Sequence, residues 1–407
     1  MMRQINGVVT STRLEFQTVT ILALSFGLVG LDRFMISTLF PVIAKDLALD
    51  YRDIGTITGA LAIAWGVSAL FMGNLSDRIG RRKVLVGSLV VFSILIAING
   101  LATGLISLIF ARVLIGLADG AYVPASIAET MAVSPPERSG RNVGLQQMTA
   151  LLFGLGFAPL LIPPLLHVID WRWIFAIFVP PGLLLAWLAY RILPERSADG
   201  SAGRTQRADW AAVLKFTNVR IAMALMLAWL TCLVTISAFL PSFMLDHLGL
   251  SFTQMGVVMS AIGFGSALGT IVLPWLSDRF GRKAIMLTGT AIVGVSLIGL
   301  VFSGPDVPRL FFFLFFAMFG NLALITLTVG PLCAEAVPPG LMATASGVVI
   351  AVGELFGGGL APVLAGIVAH NFGIQHVLWL PIVVIALAFL LCIGIREIKP
   401  RSGEAIA

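Results

Sequence analysis

Five ionisable side chains lie inside long apolar stretches of the sequence, where a charge is expensive. They are Asp32, Arg33, Arg112, Asp119 and Glu354. A charged group at the centre of a membrane-spanning helix costs roughly 2.5–3.5 kcal/mol on insertion scales, and such groups tend to mark ion or substrate pathways. The chemistry of these positions is therefore the first question that the sequence raises.

The two side-chain types suggest two kinds of chemistry. Arginine stays charged and offers a planar fork that matches a carboxylate, so Arg33 is predicted to bind an anion. Removal from water favours a protonated carboxyl group and a nearby arginine favours the charged one, so Asp32 and Asp119 are predicted proton carriers. Arg112 and Asp119 are seven residues apart, which places them on one helix face about 10.5 Å apart. Arg112 is therefore expected to tune Asp119.

Adjacent residues of a helix point about 100° apart, so Asp32 and Arg33 are expected to face different partners. The equivalent positions about 200 residues later are uncharged, whereas Asn321 and Glu354 offer polar groups from the C-terminal part of the chain. Both are predicted to bind substrate, although Glu354 fits a packing role equally well. Two interpretations of the first-half charges stay open: a structural pair that joins the first and fourth helices, or a proton and substrate site.

Composition indicates which elements must hold these groups. Of the 407 residues, 58% are hydrophobic and only 11% are charged, and the mean hydropathy is +1.00. Soluble domains carry roughly 25% charged residues, so an ordinary soluble protein, a disordered chain and a nucleic-acid binder are excluded. The three cysteines lie singly in apolar runs, which indicates neither a disulfide scaffold nor a zinc site. We expect no cofactor and no metal.

Twelve apolar runs are long enough to cross a bilayer, whose hydrocarbon core needs about 20 residues of helix. The sequence therefore predicts an all-α membrane protein with twelve transmembrane helices. The predicted spans are residues 17–43, 54–75, 83–103, 105–130, 141–167, 172–193, 217–245, 253–276, 283–303, 308–333, 341–369 and 374–395.

The basic residues predict the orientation of these spans. With the N-terminus inside, 20 of the 26 Lys and Arg fall in inner segments and four fall in outer loops. This distribution fits the positive-inside rule with both termini cytoplasmic, and it explains the net charge of +6 without nucleic acid. All four histidines fall at predicted outer helix ends. We assign them to the headgroup level, with a metal site or a pH sensor as the alternative.

Two stretches recur at about half the chain length. "LSDRIGRR" at 75–82 returns as "LSDRFGRK" at 276–283, and "GLGFAPLL" at 154–161 resembles "GGGLAPVL" at 357–364, at offsets of 201 and 203 residues. A duplicated six-helix unit is predicted, with halves at 1–193 and 217–407 joined by a flexible cytoplasmic linker at 194–216. Two such halves place a site at their interface near the middle of the membrane.

The stretch "GNLSDRIGRRK" at 73–83 is similar to the G-x-L-x-D-R-x-G-R-[RK] loop signature of the major facilitator superfamily. The chain resembles that superfamily over essentially its whole length. The resemblance implies two pseudo-symmetric six-helix bundles and loops that hold the halves together in the outward-open state, with Glu129 and Glu137 as candidate partners. Solvated inner charges are the alternative. The predicted gating residues are Gly73, Asp77, Arg78, Gly80, Arg81, Asp278, Arg279 and Gly281.

Two further stretches are similar to the anion:cation symporter branch of that superfamily. "GLDRFMISTLFPVIAKDLAL" at 30–49 resembles its first helix, and "RVLIGLADGAYVPA" at 112–125 resembles its fourth. The resemblance implies uptake of organic anions, such as sugar acids or aromatic carboxylates, together with protons. It assigns proton coupling to Asp119, where the branch usually has glutamate. The seventh span lacks a cation in its middle, which favours a substrate with one carboxylate.

Other classes are weighed against this interpretation. A proton-coupled efflux antiporter is the main alternative, but Ala158 and Pro159 replace the Gly-Pro of the G-P-x-x-G-G signature of such proteins. An enzyme is not expected, because HExxH, P-loop and Rossmann patterns are absent from the sequence. A receptor or scaffold with this fold would be expected to lose the buried charges. We expect a monomer in the inner membrane whose partners are an organic anion, protons and the bilayer.

Overall fold

The computed structural model describes the backbone of residues 2–5, 8–194, 210–338 and 341–395. Side chains are described for residues 12–69, 79–135, 138–194, 212–338, 341–342 and 344–395. Most of the predicted linker at 194–216 lies outside these residues, and so do the side chains of the predicted gating residues Gly73, Asp77 and Arg78. The domain boundaries at 193 and 217 therefore stay a prediction.

Twelve long helices account for most of the described chain. They are α1 (Thr12–Leu47), α2 (Tyr51–Ile79), α3 (Arg81–Gly100), α4 (Leu105–Val133), α5 (Arg138–Leu166), α6 (Trp171–Ile192), α7 (Thr217–His247), α8 (Phe252–Phe280), α9 (Arg282–Val301), α10 (Val307–Ala336), α11 (Thr344–Phe372) and α12 (Ile374–Ile393).

Eleven of these helices are long and apolar enough to cross a membrane, counting only described residues. The remaining one, α2, has 29 residues and covers the predicted second span. Each predicted span thus coincides with a helix, which confirms the predicted fold class. Several helices extend beyond the apolar run that predicted them; α1 has 36 residues against a predicted 27. Such helices exceed the length that the hydrocarbon core requires, so tilt or protruding ends are needed.

The helices form two bundles of six. In the first, α1 packs on α5 and α2 on α4; in the second, α8 packs on α10 and α7 on α12. The principal contacts between the bundles join α2 to α11, α5 to α8 and α1 to α7. The boundary between the bundles is therefore formed by α1, α2 and α5 on one side and by α7, α8 and α11 on the other.

Four spans contain π-helical turns near proline or glycine. They lie at Leu152–Phe157 in α5, Phe243–His247 in α7, Thr328–Leu332 in α10 and Gly353–Leu360 in α11. A π turn widens the helix locally and leaves backbone groups less regularly bonded, and such turns occur frequently at functional sites. Pro159 follows the turn in α5 by two residues. The turn in α11 contains Glu354.

Two short elements lie outside the bundles. Strands β1 (Met2–Ile5) and β2 (Val8–Ser11) pair antiparallel, with Met2 opposite Ser11. The sequence analysis did not predict them, because eight residues beside a long apolar run give little strand signal. A single helical turn at Trp210–Val213 precedes α7.

Candidate functional site

Arg33 and Glu354 form an ion pair that crosses the boundary between the bundles. Nη2 of Arg33, on α1, lies 3.0 Å from Oε2 of Glu354, on α11. The side chain of Arg33 is 16% exposed and that of Glu354 is 9% exposed. The guanidinium uses only Nη2 in hydrogen bonds with described residues. A cationic fork with free donor capacity therefore borders the space between the bundles.

Trp65 forms a platform for that fork. The centre of the Arg33 guanidinium lies 3.8 Å from the centroid of the Trp65 ring on α2, and 5.8 Å from that of Phe34. Cation–π contacts of this kind contribute about 0.5–2 kcal/mol and fix the orientation of the guanidinium plane. The indole Nε1 of Trp65 is buried and makes no hydrogen bond with the described residues. The donor is thus available to a ligand that lies beside Arg33.

A second ion pair lies deeper, within the first bundle. Nη1 of Arg112, on α4, donates to Oδ2 of Asp32 at 2.9 Å and to the Asp32 carbonyl at 3.2 Å. Both side chains are fully buried. The pair joins α1 to α4, in keeping with the structural interpretation left open above. Nε and Nη2 of Arg112 and Oδ1 of Asp32 remain without hydrogen bonds to described residues, so the pair retains capacity for water, a proton or a ligand.

Asp119 lies close to both ion pairs. Its side chain is buried, and Oδ1 makes no hydrogen bond with the described residues. The charges that act on it electrostatically are those of Asp32, Arg33 and Arg112. The direct partner of Arg112 is Asp32, and an influence of Arg112 on proton coupling at Asp119 stays a prediction.

The local sequence explains how α4 carries Asp119 so close to α2. A Cβ on Gly120 would lie 2.5 Å from the backbone carbonyl oxygen of Trp65, and one on Gly116 would lie 2.5 Å from that of Leu61. Only glycine allows backbones to approach this closely without displacement. The two glycines are four residues apart and so lie on one face of α4. Asp119 and Trp65 are brought to the same level of the bundle by this crossing.

Asn321 lies inside the second bundle. Its Nδ2 donates to the carbonyl of Trp229 at 3.1 Å, and the Trp229 indole donates to Oγ1 of Thr328 at 3.1 Å. Asn321 is fully buried, and its Oδ1 makes no hydrogen bond with the described residues. The structure thus joins Asn321 to α7 rather than to the Arg33–Glu354 pair. A role for it in substrate binding stays a prediction.

The bundles meet at the ends predicted to face outward. Nδ1 of His370 lies 2.9 Å from Oδ2 of Asp50. Nη2 of Arg52 donates to Asn371 at 3.0 Å, and the Tyr51 hydroxyl donates to Asp246 at 3.0 Å. Backbones also meet here: a Cβ on Gly263 in α8 would lie 2.2 Å from N of Gly156, and one on Gly55 in α2 would lie 2.2 Å from O of Pro362.

At the opposite end, the contacts that the structure shows stay within each bundle. Nη1 of Arg81 donates to the carbonyl of Ala128 at 3.4 Å. Arg282 pairs with Asp278 at 2.6 Å and with Glu335 at 3.1 Å. The guanidinium of Arg279 stacks on Trp275 at 4.1 Å.

Gly80 and Gly281 occupy equivalent turns between consecutive helices. Their φ angles are +97° and +91°, a region that residues with a Cβ rarely adopt. Each glycine therefore allows a tight turn between two consecutive helices. The gating roles themselves stay predictions, for the described residues as well as for Gly73, Asp77 and Arg78.

Sequence analysis missed Trp65, although a signal was available. Tryptophan in membrane proteins is enriched at the two interfaces, whereas Trp65 lies near the middle of α2. A tryptophan at that depth, like a buried charge, indicates a site within the span. No sequence signal indicated which residues pair with Arg33 and Arg112, because each partner lies on another helix.

Two six-helix bundles with a polar site between them define a membrane transporter. The sequence profile of the Major Facilitator Superfamily matches residues 22–355 and 221–406. The chain belongs to this superfamily.

Relatives with described substrates are mostly transporters of organic acids. The chain is 26% identical over 362 residues to a gentisate transporter of Corynebacterium glutamicum, covering 85% of this chain and 80% of that one. It is 27% identical over 374 residues to the sialic acid transporter NanX of Escherichia coli, covering 90% of each. Drug-resistance proteins also appear at 22–26% identity. The likeness supports the organic-anion branch but does not separate uptake from efflux.

A solved structure with the same fold is that of a bacterial homolog of the human lysosomal transporter Spinster, in an inward-facing and unoccupied conformation. The TM-score is 0.79 at 17% identity, with 94% of this chain and 98% of that chain covered. This likeness supports the fold alone.

Proposed function

We propose that the protein imports an organic acid anion together with protons, by alternating access of one central site. The observation that carries the proposal is the placement of Arg33. Its fork lies at the boundary between the bundles, stacked on Trp65 and partly open to the space between them. A buried cation with unused donors in that position suits a carboxylate better than a neutral or cationic ligand.

The proposed substrate carries one carboxylate. Within α7, the ionisable groups lie near its two ends, at Arg220, Asp246 and His247, so its middle supplies no second cation. The Trp65 indole supplies an aromatic surface and a free donor beside Arg33. These features suit an aromatic carboxylate or a sugar acid. The relatives named for gentisate and sialic acid are of these two kinds.

Proton coupling is assigned to the buried acids of the first bundle. Asp119 has an oxygen without a hydrogen bond to described residues and is close enough to Arg33 for their charges to interact. Binding of an anion at Arg33 changes the field at Asp119, so occupancy and protonation are linked. Entry of more than one proton per anion would bring in net positive charge, which the membrane potential favours by about 2.3 kcal/mol per charge per 100 mV.

The conformation fits one stage of alternating access. With both termini cytoplasmic, as the positive-inside pattern predicts, the joined ends face outward and the site opens inward. The Asp50–His370, Arg52–Asn371 and Tyr51–Asp246 contacts then form the closed outer gate. The gating loops would close the other side in the outward-open state. A bacterial inner membrane and a monomeric carrier complete the proposal.

Proton movement in liposomes tests the function. Purified protein is reconstituted with an internal pH dye, and gentisate, sialic acid, benzoate and lactate are added outside at fixed external pH. Internal acidification that depends on the protein and on one chemical class of acid is the expected result. Empty liposomes correct for passive entry of weak acids, and an Arg33→Gln variant controls for protein-dependent leak.

Efflux of drugs or metabolites against protons is the second candidate, favoured only by likeness to drug-resistance proteins. In that case no organic acid would acidify the liposomes, whereas cationic or neutral drugs would change their internal pH. This result would overturn the uptake proposal and leave Arg33 as a structural charge.

A further inference from the structure

We propose that Glu354 occupies the carboxylate site of Arg33 in the empty carrier, and that substrate binds there only when Glu354 takes up a proton. This inference rests on the proposed function and adds to it a specific proton acceptor in the second bundle. The exchange is balanced: a proton from the solvent bonds to a carboxylate oxygen of Glu354, and the ion pair of Arg33 passes from Glu354 to the substrate carboxylate.

The geometry makes the two carboxylates competitors. Arg33 holds Glu354 through Nη2 at 3.0 Å, and the guanidinium plane is stacked on Trp65 at 3.8 Å. One face of the fork is therefore covered. A carboxylate that forms two bonds to a guanidinium spans either Nε and Nη2 or Nη1 and Nη2, and both arrangements include the nitrogen that Glu354 contacts. Two ionised carboxylates side by side on one guanidinium repel each other and favour a shared or added proton.

Among the described residues that contact Glu354, none except Arg33 carries a positive charge that would offset the repulsion between the two carboxylates. On the side of α2, a Cβ on Gly66 would lie 3.7 Å from Cβ of Glu354, and Ala62 lies beside Gly358 next to the Glu354 carboxyl group; neither residue ionises. Where α11 meets α7, the neighbours of the adjacent Gly353 are Met226 and Leu230. Arg33 on α1 is the single cation that contacts Glu354 among the described residues.

The charges of two ion pairs near the site cancel. Asp32 is paired with Arg112, and Arg33 is paired with Glu354, whereas Asp119 can add only negative charge. A bound substrate carboxylate therefore adds a negative charge for which neither pair has a spare cation. Protonation of Glu354, the acid in contact with Arg33, removes that excess charge.

The helix around Glu354 leaves room for this exchange. Glu354 lies in the π-helical turn Gly353–Leu360, and a Cβ on Gly358 would lie 3.0 Å from Oε2. A larger residue at 358 would therefore press on the carboxyl group, whereas glycine leaves space on that side. A protonated Glu354 can turn away from Arg33 toward Gly358 without moving α11. Because the ion pair also joins the two bundles, its release coincides with substrate occupancy.

Calorimetry of binding tests the inference. Gentisate and sialic acid are titrated into purified protein in buffers of different ionisation enthalpy, from pH 5.5 to 8.5, which reports the protons taken up per bound acid. For the unmodified protein we expect uptake of up to one proton and, on the alkaline side, a Kd that rises about tenfold per pH unit.

Two variants separate Glu354 from other acids. Glu354→Gln should bind at least about tenfold more tightly at pH 8, with about one proton fewer taken up per bound acid and the pH slope reduced accordingly. Glu335→Gln is the matched control, since Glu335 pairs with Arg282 at the far end of α10; it should behave like the unmodified protein. Glu354→Asp, which keeps a titratable group, should keep the pH slope.

The outcomes distinguish the inference from the function on which it rests. Binding by Glu354→Gln with unchanged proton uptake, or loss of binding by a folded Glu354→Gln, overturns the inference alone. Absence of binding by the unmodified protein and by every variant overturns the organic-acid function, and the inference with it. Monodisperse elution and an unchanged melting temperature establish that a variant is folded.

Discussion

Replacement of Arg33 by lysine keeps the positive charge at the centre of the site and removes the planar fork of the guanidinium. The guanidinium offers a planar fork and stacks on Trp65 at 3.8 Å, whereas a lysine ammonium is a compact charge that cannot hold a carboxylate with two parallel bonds. Loss of one charge-assisted hydrogen bond costs about 1.5–3 kcal/mol. Loss of the cation–π contact costs about 0.5–2 kcal/mol. Together they amount to about 2–5 kcal/mol, or roughly a 30- to 5,000-fold weaker affinity.

The assay is initial uptake of labelled substrate into proteoliposomes over a range of concentrations. The apparent KM of Arg33→Lys should rise by the stated factor. Arg309→Lys is the matched control: Arg309 is 70% exposed and pairs with Asp306 at 3.2 Å, and its replacement should leave uptake unchanged. Normal transport by Arg33→Lys would refute the carboxylate fork, because charge alone would then suffice.

Three further predictions concern the buried acids and the gate. Asp119→Asn should abolish proton-driven accumulation and spare exchange of labelled for unlabelled substrate; persistent accumulation would show that another acid carries the coupled proton. Asp32→Asn leaves the fully buried Arg112 without its counter-ion, which should cost about 3–5 kcal/mol and lower the melting temperature in detergent; an unchanged melting temperature would mean that the pair does not join the helices. Gly263→Ala places a Cβ 2.2 Å from N of Gly156 and should open the outer side, seen as faster labelling of a Gly156→Cys reporter by an impermeant maleimide; an unchanged rate would contradict the proposed gate.

The proposed outer gate and the Arg33–Glu354 pair are separate sets of contacts, and the same movement of the bundles would change both. At the gate, small residues let α5 meet α8 and α2 meet α11, and a few polar contacts join their ends. At the centre, one ion pair joins α1 to α11. In the proposed cycle, closure of the outer side brings Arg33 and Glu354 within contact distance. Opening of that side would separate them unless a substrate carboxylate or a proton replaces the lost partner.

The helices and the charged residues inside them were predictable from residue types alone. Each span follows from an apolar run, because a backbone in hydrocarbon must satisfy its hydrogen bonds within its own helix. Glycine at 80 and 281 is typical of a turn with a positive φ angle, and both residues have such an angle. The importance of Asp32, Arg33, Arg112, Asp119 and Glu354 also follows from sequence, because the cost of a charge in an apolar run depends on local composition.

Which side chains contact each other depends on how the helices pack, and it is visible only in the tertiary structure. Helical periodicity predicts that Asp32 and Arg33 face apart, but it cannot say that Asp32 pairs with Arg112 and Arg33 with Glu354. Those partners are 80 and 321 residues away, and the contacts depend on how closely glycines allow helices to cross. Trp65 enters the site for the same reason, since α4 approaches its backbone at Gly120. Local composition sets the cost of each charge, and packing between helices decides which partner offsets it.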